Sequence, residues 1–327
     1  MRAMIVNEFG APEQMVVEEV PAPDPGPEEV LIEARAIGVN FPDLMVIEGS
    51  YQILPEPPFS PGKEVAGVVR AVGSEVSGLK VGARVMAQVE YGAYREQVVA
   101  AAAHTTVLPD NLSFEEGAAF GLTYLTVYFA LVRRAQLQAG ETVLVTGAAG
   151  GVGIAGVQLA KALGARVIAV ASTEEKRALS LEMGADHAID PDPGTFKERV
   201  FKLTDGRGAD VILEQVGGYL FTASMRAIAW EGRLVLIGFA SGEIPTLKAG
   251  HVLVKNMTLI GLQSSDYRER EPETFQEAQK ALLDLYSRGR ISVHITGTYP
   301  LEEAAEALKT IRSGQVRGKA VLTTEAL

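Results

Sequence analysis

Up to about residue 110, apolar and polar positions alternate in short runs that glycine and proline set apart. In Glu29–Ile37, Val30, Ile32, Ala34 and Ala36 fall on one side of an extended chain and Glu29, Glu33 and Arg35 on the other. This pattern predicts a strand with one face in a core and one in water. Glu64–Val72 and Ala83–Val89 have similar length and β-branched content, and the prolines at 21–27, 55–58 and 61 supply the turns between runs. The stretch reads as a compact, mostly β domain.

Near Ser113 the period changes. Ser113-Phe-Glu-Glu116 predicts a helix N-cap with a glutamate three positions on, and a helical stretch follows to about Arg134. Strand-like runs then appear at Thr142–Thr146, Arg166–Ala171, Ala209–Leu213, Arg233–Gly238 and Met257–Leu262, separated by helix-length segments. Such alternation predicts a parallel sheet with crossover helices. In the tail, Phe275, Ala278, Leu282 and Leu285 form one stripe of a helix over Pro272–Arg288. A turn, a short helix from Leu301 to about Ile311 and a strand at Lys319–Thr323 complete it. The predicted class is α/β: a doubly wound parallel sheet at 123–262, inserted in a mostly β domain formed by 1–122 and 263–327.

Thr142–Gly153 brings in chemistry. An apolar run feeds Gly147-Ala-Ala-Gly-Gly-Val-Gly153, which opens a nearly apolar helix. That arrangement places backbone amides and a helix N-terminus against a diphosphate, and it predicts a Rossmann dinucleotide site using Gly147, Gly150, Gly151, Val152 and Gly153. Ala148 departs from the strict GxGxxG spacing. About 20 residues on, where an acid would bind the ribose diol of NAD, the chain has Ser172, with Lys176 and Arg177 one turn beyond. A hydroxyl and a cation suit a 2′-phosphate, which favours NADPH over NADH, although Glu174 and Glu175 stand close by.

Charge and composition narrow the partners. The net charge is −11, from 30 Lys and Arg against 41 Asp and Glu, and no basic run appears. This argues against nucleic acid or an anionic membrane as a partner. No apolar run approaches the ~18 residues of a membrane span, and the N-terminus does not read as a signal peptide, so a cytoplasmic protein is expected. With no cysteine and four scattered histidines, neither a zinc site nor a cysteine nucleophile is expected.

Three motifs together, Gly38-Val-Asn-Phe-Pro-Asp43, Pro58-Phe-Ser-Pro-Gly-Lys-Glu-Val-Ala-Gly-Val-Val69 and the glycine turn, resemble the zinc-independent quinone oxidoreductases. These zeta-crystallin-like enzymes belong to the medium-chain dehydrogenase/reductase superfamily. The resemblance spans essentially the whole chain. It implies a GroES-like catalytic domain split around the Rossmann domain, with the nicotinamide in the cleft between them. Zinc-dependent relatives carry Gly-His-Glu where this chain has Gly62-Lys63-Glu64, and a protonated lysine is a poor zinc ligand.

The resemblance also implies roles. Asn40 is expected to orient the carboxamide or the substrate carbonyl, and Asp43 to border the nicotinamide or to support its loop. Tyr51 is expected near the substrate and Thr126 beside the cofactor, with Thr123 in a similar context. Gly238 and Phe239, then Leu262 and Gln263, follow strand ends and are expected against the nicotinamide half. Arg317, in Arg317-Gly-Lys319, is expected to lend positive charge to the cofactor. Asp190 stands where the family has a phosphate-binding tyrosine, a departure that counts against NADPH.

With positioning as the main resource, the expected reaction is metal-free hydride transfer from NADPH to a quinone. An enone or enoyl-thioester reductase on the same scaffold is the alternative, and an NADPH-binding redox-sensing or RNA-binding protein a further one. The family suggests a homodimer joined through the edge strand near Met257–Leu262.

Overall fold

The strands, in chain order, are β1 (Arg2–Ile5), β2 (Val16–Glu19), β3 (Glu29–Val39), β4 (Glu64–Val72), β5 (Arg84–Gln88), β6 (Gln97–Ala101), β7 (Thr105–Val107), β8 (Thr142–Val145), β9 (Arg166–Val170), β10 (His187–Ile189), β11 (Ala209–Glu214), β12 (Ile228–Leu236), β13 (Thr258–Gly261), β14 (Ile295–Pro300) and β15 (Lys319–Thr323). They come from a computed structural model that describes residues 1–324. The chain divides into two units. One comprises Met1–Leu122, Tyr267–Leu283 and the residues from Val293 onward; the other comprises Thr123–Asp266 and Asp284–Ser292.

In the first unit, one sheet has the order β14-β15-β3-β4-β5-β7, with β6 also paired to β3. Its ladders are antiparallel except β14 with β15. Val30, Ile32 and Ile37 of β3 pack with Val65, Val69, Val85 and Leu322 in the core. Glu33 departs from the expected alternation. It is buried, because β3 is paired along its length, and it is paired with Arg70 and Arg35, each at 2.5 Å. Hydrogen bonding from Arg70 holds its carboxyl below the usual carboxylate range despite that burial. The strand at Ile295–Pro300 escaped prediction because Thr296, Gly297 and Thr298 give it no apolar run.

The helix expected after Ser113 spans Phe114–Tyr128 and continues as a wider π turn over Phe129–Arg134. Its cap is reciprocal: Ser113 Oγ accepts the Glu116 N–H at 3.1 Å, and Glu116 Oε2 accepts the Ser113 N–H at 3.0 Å.

The second unit holds a parallel sheet of order β10-β9-β8-β11-β12-β13. The chain moves outward from β8 to β10, then returns to β11 on the other side. The crevice where that order reverses lies at the carboxyl ends of β8 and β11, the place where such sheets bind ligands. The three-residue strand β10 was absent from the predicted set, being too short to produce a periodic signal. Among the described residues no helix is long and apolar enough to cross a membrane.

Candidate functional site

Because the second unit's strands are parallel, the turns after β8, β9, β11, β12 and β13 all leave from one edge of its sheet. Gly147 through Gly153 form the first of these turns. Gly147 has a φ of +57°, a left-handed conformation that favours glycine. At Gly153 a Cβ would lie 2.2 Å from the Gly147 carbonyl oxygen, so only glycine fits. The helix Gly151–Ala162 starts here, and its first turn includes the N–H groups of Gly151, Val152 and Gly153, for which a helix has no carbonyl of its own. A bare turn with such donors suits a diphosphate.

The end of β9 carries the next set. Thr173 caps the helix Glu174–Glu182, accepting the Lys176 N–H at 3.3 Å. Ser172 is exposed beside it. Arg177 Nη1 donates to the carbonyls of Ala171 and Ser172 at 3.1 and 3.2 Å, which seats a guanidinium at the strand end. Asp190 is ion-paired with Arg199, whose hydrogen bond holds its carboxyl below the usual range. The acid that counted against a 2′-phosphate therefore has its own cation.

Gly238 and Phe239 follow β12, and Leu262 and Gln263 follow β13, so both pairs lie on the same edge as the glycine turn. The Leu262 N–H donates to the Leu236 carbonyl at 3.1 Å, and Gln263 Nε2 to Ser265 Oγ at 2.9 Å. Thr126 is buried, with its hydroxyl 2.9 Å from that of Ser264.

In the first unit the Asn40 motif is built into a buried polar cluster. Asn40 stands at the N-cap position of the helix Phe41–Ile47, and Asp43 reaches back so that its Oδ2 accepts the Asn40 N–H at 2.8 Å. The same Oδ2 accepts the Tyr94 hydroxyl at 3.0 Å. Asp43 is 1% exposed, and burial pushes its carboxyl up to about 6, against the opposing pull of Lys63, the Asn40 N–H, Tyr94 and Lys319. Asn40 Nδ2 donates to Glu64 Oε1 at 3.0 Å and to the Gly38 carbonyl at 3.3 Å, and its Oδ1 accepts from Lys319 Nζ at 2.5 Å. Both ends of the amide thus have partners within the unit.

Lys63 Nζ donates to the carbonyl and to Oε1 of Glu90 at 2.7 and 2.6 Å, and lies 4.5 Å from the centre of the Tyr51 ring. Arg268 binds the other carboxylate oxygen of Glu90 at 3.0 Å. Arg317 is exposed in the turn before β15, and Lys319, at the head of β15, is buried.

Residues 26–110 match the alcohol dehydrogenase GroES-like domain family, and residues 151–283 the zinc-binding dehydrogenase family. A quinone oxidoreductase-like protein 2 homolog of Nematostella vectensis is 38% identical, over 99% of this chain and 89% of its own. The chain belongs to the quinone oxidoreductase family. A mycobacterial protein solved in complex with NADPH superposes with a TM-score of 0.94 at 36% identity, covering 99% of this chain and 100% of that one. The Escherichia coli quinone oxidoreductase, also solved with NADPH, does so with a TM-score of 0.92 at 32% identity, covering 99% and 100%.

Membership in the quinone oxidoreductase family, within the medium-chain dehydrogenases/reductases, accounts for the split architecture. Among the described residues no group of three or more His, Cys, Asp or Glu is placed to hold a metal. Glu64, Tyr94, Glu214 and Gln215 were not singled out in the sequence. Glu64 and Glu214 had a readable signal: each is an acid at the end of an apolar strand, where burial demands partners.

Proposed function

We propose that the protein is an NADPH-dependent quinone reductase that works without a metal. The observation that carries the cofactor choice is the end of β9, where Ser172, Lys176 and the seated guanidinium of Arg177 stand in place of a diol-binding acid. Gly147, Gly150, Gly151, Val152 and Gly153 would hold the diphosphate, and Thr126, Gly238, Phe239, Leu262 and Gln263 the nicotinamide half. Bound NADPH supplies a hydride from C4 of its nicotinamide to the electron-poor quinone.

The chain's own part is positioning. The glycine turn and the cations fix the two phosphate ends. Tyr51, with the Lys63 ammonium against its ring, is the acceptor-side residue, and Asn40 and Asp43 hold that region's helix in place. A quinone needs no protein acid, since water can protonate the oxyanion formed. Lys63 supports a metal-free reaction: it occupies the position of the zinc-ligating histidine in related enzymes, and its ammonium is committed to Glu90.

The protein is further proposed to form a homodimer through β13. That strand pairs with β12 on one side and, among the described residues, with no strand on the other. On the neighbouring helix Ala249–Lys255, Leu253 and Val254 are 78% and 74% exposed. Titration with NADPH and NADH, followed by turnover with quinones, tests the assignment. Tight NADPH binding without turnover of any acceptor would sink the enzyme reading.

A further inference from the structure

The turn after β11 sets an acid and an amide side by side. Glu214 is fully buried, and its Oε1 accepts the N–H groups of Val216 and Gly217 at 2.8 and 2.9 Å and the Thr146 hydroxyl at 3.3 Å. Its Oε2 accepts the Ser224 hydroxyl at 3.3 Å. The carboxylate is therefore consumed in shaping its own turn.

Gln215 reaches out of that turn to its neighbours. Its Nε2 donates to the Thr146 carbonyl at 2.5 Å and lies 3.5 Å from the Gly147 carbonyl, while its backbone N–H donates to Thr146 Oγ1 at 3.1 Å. Its own carbonyl accepts the Ala240 N–H at 2.9 Å. Flanking bonds, Ile237 N–H to the Glu214 carbonyl at 2.8 Å and Ser241 N–H to the Val216 carbonyl at 2.9 Å, hang the whole loop after β12 on the same turn. Thr146 and Gly147 begin the diphosphate turn. Gln215 thus holds the diphosphate turn through its side chain and the loop that follows β12 through its backbone, across the point where the strand order reverses.

We propose that Gln215 is a positioning residue for the dinucleotide, setting the direction of the Thr146–Gly147 peptide and with it the amides of the glycine turn. The Gly147 carbonyl must be held: it also accepts the Gly150 N–H at 3.0 Å and lies where a Cβ on Gly153 would collide. Removing the Gln215 amide leaves the Thr146 carbonyl without this donor, and the turn relaxes to find another. The inference rests on the dinucleotide reading above. It differs from it in specificity, because a diphosphate is common to NADPH and NADH.

The test is equilibrium titration of the full-length protein and its Gln215→Leu and Gln215→Asn variants with NADPH and with NADH. Leucine removes the amide; asparagine keeps it but withdraws it by one methylene. Both variants are expected to weaken both dinucleotides by a common factor, about tenfold for leucine, leaving the NADPH to NADH ratio unchanged. A purely structural role would lower the melting temperature and leave the dissociation constants alone. Wild-type affinity in either folded variant, or a loss confined to NADPH, overturns the proposal. If Gln215→Leu does not fold, Gln215→Asn decides alone. A wild-type protein that binds neither dinucleotide removes the cofactor reading itself, and the inference with it.

Discussion

Lys319 Nζ lies 2.7 Å from Glu64 Oε1, and the two residues are only 5% and 2% exposed. The lysine also donates to the carbonyl of Val39 and to Asn40 Oδ1, while Glu64 Oε2 accepts the Leu122 N–H at 2.9 Å. Removing one member of such a pair leaves an unpaired buried charge. Lys319→Met is expected to cost about 3–5 kcal/mol in urea unfolding at neutral pH. Adding Glu64→Gln to it should recover part of the loss. A cost below about 1 kcal/mol would mean that the pair is solvated.

Asp43 makes stability depend on pH. Its carboxyl titrates near 3.8 when unfolded and at about 6 when buried, so between those values the native state keeps a proton that the unfolded chain has released. Native protein then binds more protons than unfolded, and stability falls as pH rises through that window, by about 3 kcal/mol in full. Asp43→Asn has no such group. Wild-type stability minus that of the variant should decline from pH 4 to pH 6 and level off above; a constant difference would contradict the burial argument.

Selectivity should follow the cations at the end of β9. Lys176→Ala and Arg177→Ala are each expected to raise the NADPH dissociation constant about tenfold, as losing one charged hydrogen bond does, while NADH changes less than about twofold. An equal effect on both dinucleotides would refute a 2′-phosphate role.

The exposed apolar face beside β13 predicts association. Wild-type protein at micromolar concentration is expected to sediment as a dimer, and Leu253→Glu with Val254→Glu as a monomer, through desolvated charge at the interface. A wild-type monomer would contradict the β13 interface.

The sequence reading went furthest where local pattern and local chemistry coincide. The capping box at Ser113–Glu116 and the glycine turn were both legible, because a cap and a tight turn are specified within a few residues. Glu33 was misplaced for the opposite reason: its neighbours Arg70 and β6 arrive from distant sequence. The same holds for the cluster around Asn40. Its motif was visible, but the partners Glu64 and Lys319 stand 24 and 279 positions away, so the internal use of the Asn40 amide required the fold. At the end of β9 the helix cap is Thr173, one residue beyond Ser172, which leaves the Ser172 hydroxyl outside the capping bond.

Metal-free hydride transfer from NADPH to a quinone is tested most directly by following NADPH absorbance with a soluble quinone, with and without a strong chelator. The account predicts consumption of NADPH that depends on the quinone and is unchanged by the chelator. No consumption with any quinone, or a rate that the chelator abolishes and added zinc restores, would contradict it.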